Sequence, residues 1–223
     1  MKRIKTLQYE GKVGQIDCAV DWPEADQEVI GWALILHPHP LHGGARNNKV
    51  VTTMSKAATQ LGLVAVRPNF RGVGQSAGSF DAGQGEALDM FELVQQFQQQ
   101  FPQLAAGHFM LGGFSFGSSI AAQLYALLAQ NEQRTPQALV LAGCAVERFR
   151  FLAAEQLQVP SFTYLVHGED DDVVPVAESL DFAKAHDLAV SVIPDAGHFF
   201  HGKLILLRDL VSMQWQLGLL RLQ

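Results

Sequence analysis

The chain has 223 residues, 48% of them hydrophobic and 17% charged. That is enough apolar surface for a substantial core, which excludes global disorder, and at roughly 150 residues per domain the expectation is one domain over residues 1–223. Sixteen Lys and Arg against 22 Asp and Glu give a net charge of −6. With no basic run or basic helix face, neither nucleic acid nor an anionic membrane is an expected partner.

The two cysteines, Cys18 and Cys144, are far apart, form no CxxC pair and lie in apolar stretches. They read as buried free thiols, which suits a reducing cytoplasm. The N-terminus is basic, but a polar stretch follows where a signal peptide needs an apolar one. No run approaches the ~18 apolar residues of a membrane span. A cytoplasmic protein is expected.

In chain order, residues 4–9 and 15–20 alternate around Gly11 and Gly14 and predict an antiparallel strand pair. Beyond Pro23, apolar runs of strand length recur at 32–36, 63–66, 109–111, 138–141, 162–166 and 190–193. Helical spacing separates most of them. Val50, Met54, Ala57 and Leu61 share a face, as do Ala87, Phe91, Val94, Phe97 and Phe101, and then Ile120, Leu124 and Leu127. A closing amphipathic helix runs from Leu204 to Trp215. Apolar strands alternating with amphipathic helices predict an α/β architecture, a mostly parallel sheet with helices on both faces. In such sheets ligands sit beyond the carboxyl ends of the strands. His37, Arg67, Ser115, His167 and His198 all follow predicted strands.

Two segments match G-x-S-x-G, around Ser76 and around Ser115. The chemistry needs a serine on a tight strand-to-helix turn, with small residues on either side and a helix N-terminus under the developing oxyanion. Ser115 has a strand before it and an Ala/Leu-rich helix after it, whereas Ser76 lies in a glycine-rich loop. Ser115 is therefore the candidate nucleophile. A serine needs an imidazole base held by a carboxylate, and on this architecture the chain order is Ser, Asp or Glu, His. The runs at 167–175 and 195–201 supply both in that order.

These motifs are His37-Pro38-His39-Pro40-Leu41-His42-Gly43-Gly44, Asn69-Phe70-Arg71-Gly72-Val73-Gly74, Gly113 to Gly117, His167 to Pro175, and Gly197-His198-Phe199-Phe200-His201-Gly202. In joint order and spacing the chain resembles a compact, lidless serine α/β-hydrolase of the bacterial carboxylesterase and dienelactone-hydrolase-like group. The resemblance implies His198 as the base. Its H-G-x-x-D-x-x-V-P pattern implies Asp171 as the acid, with Asp172 one residue out of register and Asp195 a competitor by proximity.

Phe116, after the nucleophile, is the first expected oxyanion donor. In the related pattern H-G-x the second donor is the third residue, here His39, with Leu41 the alternative. Pro38 stands where the pattern has glycine, and Pro40 has no N–H. The interval between the strands ending near Leu141 and beginning near Phe162 is too short for a lid domain, so an open cleft lined by Leu41, Phe116, Phe149, Phe199 and Phe200 is expected. Arg148 and Arg150 are either recognisers of a substrate carboxylate or solvated loop residues.

The expected activity is hydrolysis of short acyl esters, a small-molecule substrate, through an acyl-enzyme on Ser115, with no cofactor and no metal. A serine at the elbow, in place of aspartate or cysteine, disfavours dehalogenase, epoxide hydrolase and dienelactone hydrolase chemistry proper. Two alternatives stand beside it. One is a metal-dependent hydrolase using His37, His39 and His42, with His198 and His201 elsewhere; the other is a non-catalytic binding protein of the same fold.

Overall fold

The structure, a computed structural model, describes residues 4–221. Its strands are β1 (Ile4–Gly11), β2 (Gly14–Asp21), β3 (Gly31–Leu36), β4 (Leu63–Pro68), β5 (His108–Phe114), β6 (Ala138–Ala142), β7 (Thr163–Gly168) and β8 (Ala189–Ile193). They form one sheet of order β1-β2-β4-β3-β5-β6-β7-β8. The pairs β1/β2 and β2/β4 are antiparallel, and the rest are parallel. This is the α/β-hydrolase fold with its short antiparallel N-terminal pair.

The central strands β3 to β7 are largely apolar runs because both faces of the sheet are covered there. Trp32, Leu34 and Leu36 of β3 enter one core cluster, and Ala33 and Ile35 enter the other, as the two-residue period of a strand requires. The helices are α1 (Lys49–Gln60), α2 (Gln84–Gln100), α3 (Pro102–Ala105), α4 (Phe116–Gln130), α5 (Val176–His186) and α6 (Leu204–Leu219). Val50, Val51 and Met54 of α1 share one cluster with Leu207, Val211 and Trp215 of α6. The other takes Met90, Leu93 and Phe97 of α2 with Ile120 and Leu124 of α4.

Helix α5 has no counterpart among the predicted elements: it buries only Ser179, Phe182 and Ala183, too narrow a stripe to carry a visible period. The connection at 143–162 holds one short 3₁₀ turn, Val146–Arg148, and no lid helix. Gln123 of α4 pins it down, its Nε2 donating to the Phe149 carbonyl (3.1 Å) and its Oε1 accepting from the Phe151 N–H (2.7 Å). Both cysteines are unpaired and buried, and burial pushes the Cys144 thiol up to about 12. No helix among the described residues is long and apolar enough to cross a membrane.

Candidate active site

Ser115 stands between β5 and α4 with φ 55° and ψ −122°, a conformation a non-glycine residue adopts only when its surroundings impose it. The surroundings are tight. A Cβ on Gly113 would lie 2.0 Å from the Gly117 carbonyl oxygen, and one on Gly117 would lie 2.4 Å from that of Leu36. The Ser115 N–H donates to the Ala142 carbonyl (2.9 Å), and Ser118 Oγ donates to the Ser115 carbonyl (2.6 Å). The turn is thereby tied to the end of β6. Ser76 instead accepts from the Asp17 N–H (2.9 Å) and donates to the Asn69 carbonyl (2.8 Å), a structural serine.

Loops from three strand ends bring Ser115, His198 and Asp171 together. His198 Nε2 is 3.0 Å from Ser115 Oγ, and its Nδ1 is 2.7 Å from Asp171 Oδ2. Asp171 Oδ1 accepts from the Val173 N–H (2.9 Å) and the Val174 N–H (2.8 Å). Burial works against the ionised carboxyl. The hydrogen bonds from His167, His198 and the Val174 N–H, with the charge of His198, outweigh it and hold Asp171 well below the usual carboxylate range. An ionised Asp171 accepts from Nδ1–H of His198, which leaves Nε2 free to accept from the Ser115 hydroxyl. Asp172 and Asp195 are exposed, and Asp195 lies 4.0 Å from Lys203 instead.

The His39 N–H has no hydrogen-bond partner among the described residues, and the Phe116 N–H, first in α4, has no acceptor within its helix. The Leu41 N–H is engaged by His39 Nδ1 at 3.2 Å. The His39 carbonyl accepts from the N–H groups of His42 (3.1 Å) and Gly44 (3.0 Å), so the loop curls around that carbonyl while the His39 N–H stays unused.

The cleft beside Ser115 has a volume of about 340 Å³ and is lined by Pro38, His39, His42, Gly43, Gly44, Asn48, Val173, His198 and Phe199. Of the aromatic and aliphatic residues expected there, Phe199 takes its place. Phe149 packs against His39 and Phe116, with ring centroids 5.1 Å from each, behind the lining. Leu41 is 68% exposed and outside the cleft. Phe200 is a correction: it is fully buried in the cluster under α1 and α6. Its φ is 52°, and although both rings touch Phe114, Phe199 stays exposed while Phe200 is buried. Asn48 and Val173 were not expected. Asn48 is legible as a helix cap, its Oδ1 accepting from the Val50 N–H at 2.9 Å. Arg148 does not face the cleft empty-handed: it forks onto Glu178 (2.7 and 2.5 Å) and holds the Val173 carbonyl (2.7 Å).

His37 is not available as a metal ligand. Its Nδ1–H donates to the Pro38 carbonyl (2.6 Å) and its Nε2 accepts from the Phe70 N–H (2.9 Å). No group of three His, Cys, Asp or Glu side chains among the described residues is arranged to hold a metal ion. Burial, only partly offset by the Pro38 carbonyl, pulls His37 down from 6.5 to about 4. The unfolded chain therefore takes up a proton on this residue below about pH 6.5 that the folded chain refuses until about pH 4. Stability is expected to fall by on the order of 3 kcal/mol as pH drops through that window. Denaturant melts at pH 4.5 and 7 check this, and His37→Gln, which keeps an acceptor for Phe70, flattens the slope.

Comparison with known proteins places the chain in a family. The family model described as Phospholipase/Carboxylesterase matches residues 78–203. A serine hydrolase without a lid from Xanthomonas campestris is 32% identical with a TM-score of 0.85, covering 99% of this chain and 97% of that one. An alpha-beta serine hydrolase homologue from Coxiella burnetii is 36% identical with a TM-score of 0.81, covering 94% and 96%. An uncharacterized protein of Rickettsia prowazekii (strain Madrid E) is 33% identical over 178 residues, 77% of this chain and 72% of that protein. The fold and these relatives define an enzyme of the hydrolase class. Within it, the chain belongs to the phospholipase/carboxylesterase family.

Proposed function

We propose that this hydrolase is a serine esterase acting on short acyl esters. The observation that carries the reading is the unbroken line Ser115 Oγ, His198 Nε2, His198 Nδ1, Asp171 Oδ2, with contacts of 3.0 and 2.7 Å. In it, Ser115 Oγ attacks the ester carbonyl carbon as its proton passes to His198 Nε2. The carbonyl oxygen takes up the electron pair, stabilised by the N–H groups of Phe116 and His39. The tetrahedral species collapses, the alkoxide leaves with the proton from His198, and an acyl group remains on Ser115. Water then repeats the sequence, with His198 again base and then acid, releasing the carboxylic acid. Asp171 stays ionised and stabilises the imidazolium.

No Asp, Glu, Lys or Arg lines the cleft, which supports an uncharged ester over an anionic or cationic substrate. Its size and openness favour short acyl chains. The two buried, unpaired thiols suit a reducing compartment, and the cytoplasm is the proposed location. The test is a panel of p-nitrophenyl esters of increasing acyl length, with and without a chelator. Turnover should be fastest on the shortest chains and unaffected by the chelator. A preference for long chains would overturn the substrate assignment, and loss of activity on chelation would overturn the serine mechanism.

A further inference from the structure

Behind Asp171 lies a second buried imidazole that this mechanism does not use. His167, near the end of β7, is fully buried. Its Nε2 is 2.7 Å from the Val174 carbonyl oxygen and 3.1 Å from Asp171 Oδ2. Its Nδ1 is 2.5 Å from Ser179 Oγ on α5. A carbonyl only accepts, so Nε2 carries a hydrogen, and that hydrogen lies between the Val174 carbonyl and the carboxylate. Val174 is consequently held at both ends of its residue: its N–H donates to Asp171 (2.8 Å) and its carbonyl accepts from His167. On the Asp171 side, Oδ2 faces two imidazole nitrogens, His198 Nδ1 at 2.7 Å and His167 Nε2 at 3.1 Å.

Resting on the reading of Ser115, His198 and Asp171 above, we propose that His167 is a positioning residue of the site. Its Nε2–H fixes the Val174 peptide and donates a second hydrogen bond to the carboxylate oxygen that orients His198. It thereby sets both where the acid stands and how strongly it holds the imidazolium. Two donors on one oxygen divide its electron density, so the bond from His167 moderates the pull of Asp171 on His198. The other ionisable groups facing His167 are few. Glu178 on α5 lies within its electrostatic reach but is neutralised by its fork with Arg148, and Cys144 lies against Ser179 with its thiol protonated.

The test is the pH profile of kcat/KM on p-nitrophenyl acetate for the native enzyme, His167→Leu and His167→Gln. With His167→Leu, kcat should fall on the order of 10- to 100-fold through looser positioning of the acid, which its Val173 and Val174 N–H bonds still keep in contact with His198, with KM little changed. The acid limb of the profile should move up by roughly half to one pH unit, because Oδ2 is left to His198 alone and the imidazolium is better held. His167→Gln, whose amide N–H can still reach the Val174 carbonyl and Oδ2, should return the limb toward the native position. A merely structural role would reduce the amount of folded enzyme and leave the limb where it was; an unmoved limb overturns the proposal.

Should His167→Leu not fold, histidine ¹⁵N NMR of the native chain decides. His167 Nε2 should carry the proton, with a resonance that Asp171→Asn displaces; a bare Nε2, or no response, overturns it. Failure of the esterase reading itself would appear separately, as an unlabelled Ser115 after fluorophosphonate treatment, and would leave the NMR result intact.

Discussion

Ser115→Ala is expected to lower kcat on p-nitrophenyl acetate by on the order of 10⁵- to 10⁶-fold and to abolish the fluorophosphonate adduct, with the fold retained. The hydroxyl's partner is His198 Nε2, and the elbow itself is held by the backbone bonds of Ser115 to Ala142 and Ser118 and by the glycine contacts. Alanine carries the same strain at φ 55° as serine does. Chemistry is therefore removed while the frame that imposes the strain remains. Intact mass and peptide mapping read the adduct, and a thermal melt reads the fold. An adduct that persists in Ser115→Ala, or one that maps to another residue, would refute Ser115 as nucleophile. No adduct and no hydrolysis in the native chain would favour a binding protein of the same fold.

Asp171→Asn should cost on the order of 10⁴-fold in kcat near neutral pH, a tautomer effect more than a loss of charge. Asp171 Oδ1 accepts two backbone N–H bonds, so the asparagine oxygen must take that position. The NH₂ group then lies where Oδ2 faces His198 Nδ1 and His167 Nε2. Two donors cannot share that contact. His198 is driven to the Nε2–H tautomer, which presents a hydrogen to Ser115 where a lone pair is needed. The same substitution alters stability against acid with a definite sign. Because the folded-state pKa of Asp171 lies below its unfolded value, its contribution is complete above the ordinary carboxylate range and is lost only as pH falls through the folded value. The asparagine variant should lack that low-pH step while keeping the one from His37 between about pH 6.5 and 4. A variant within tenfold of native activity would remove Asp171 from its role.

Most of the fold is legible residue by residue because both sheet faces are covered. Strands β3 to β7 read as apolar runs, and the helices on the two faces carry clear periods. Strand β8, at the sheet edge, still reads as the apolar run 190–193, whereas helix α5 buries too little for its period to show. The same contrast runs through the site. Ser115 separates from Ser76 by local chemistry alone, since only one of them joins a strand to a helix. Asp171 separates from its acidic neighbours Asp170 and Asp172 only when the loop folds, which buries one carboxylate against two N–H groups and exposes the others.

The strands, the helices other than α5 and the short α3, their order and the residue types at the strand ends are readable from the chain, because strand and helix periods and turn chemistry act over a few neighbouring residues. Tertiary structure alone decided which side chains meet. It turned Phe200 inward, engaged Arg148 with Glu178, gave the Leu41 N–H to the His39 ring and set His167 behind Asp171. The Phe200 and Arg148 outcomes depend on contacts between residues far apart in the chain, and the Leu41 and His167 contacts, within a few residues, form only when the folded loop selects one side-chain orientation among several.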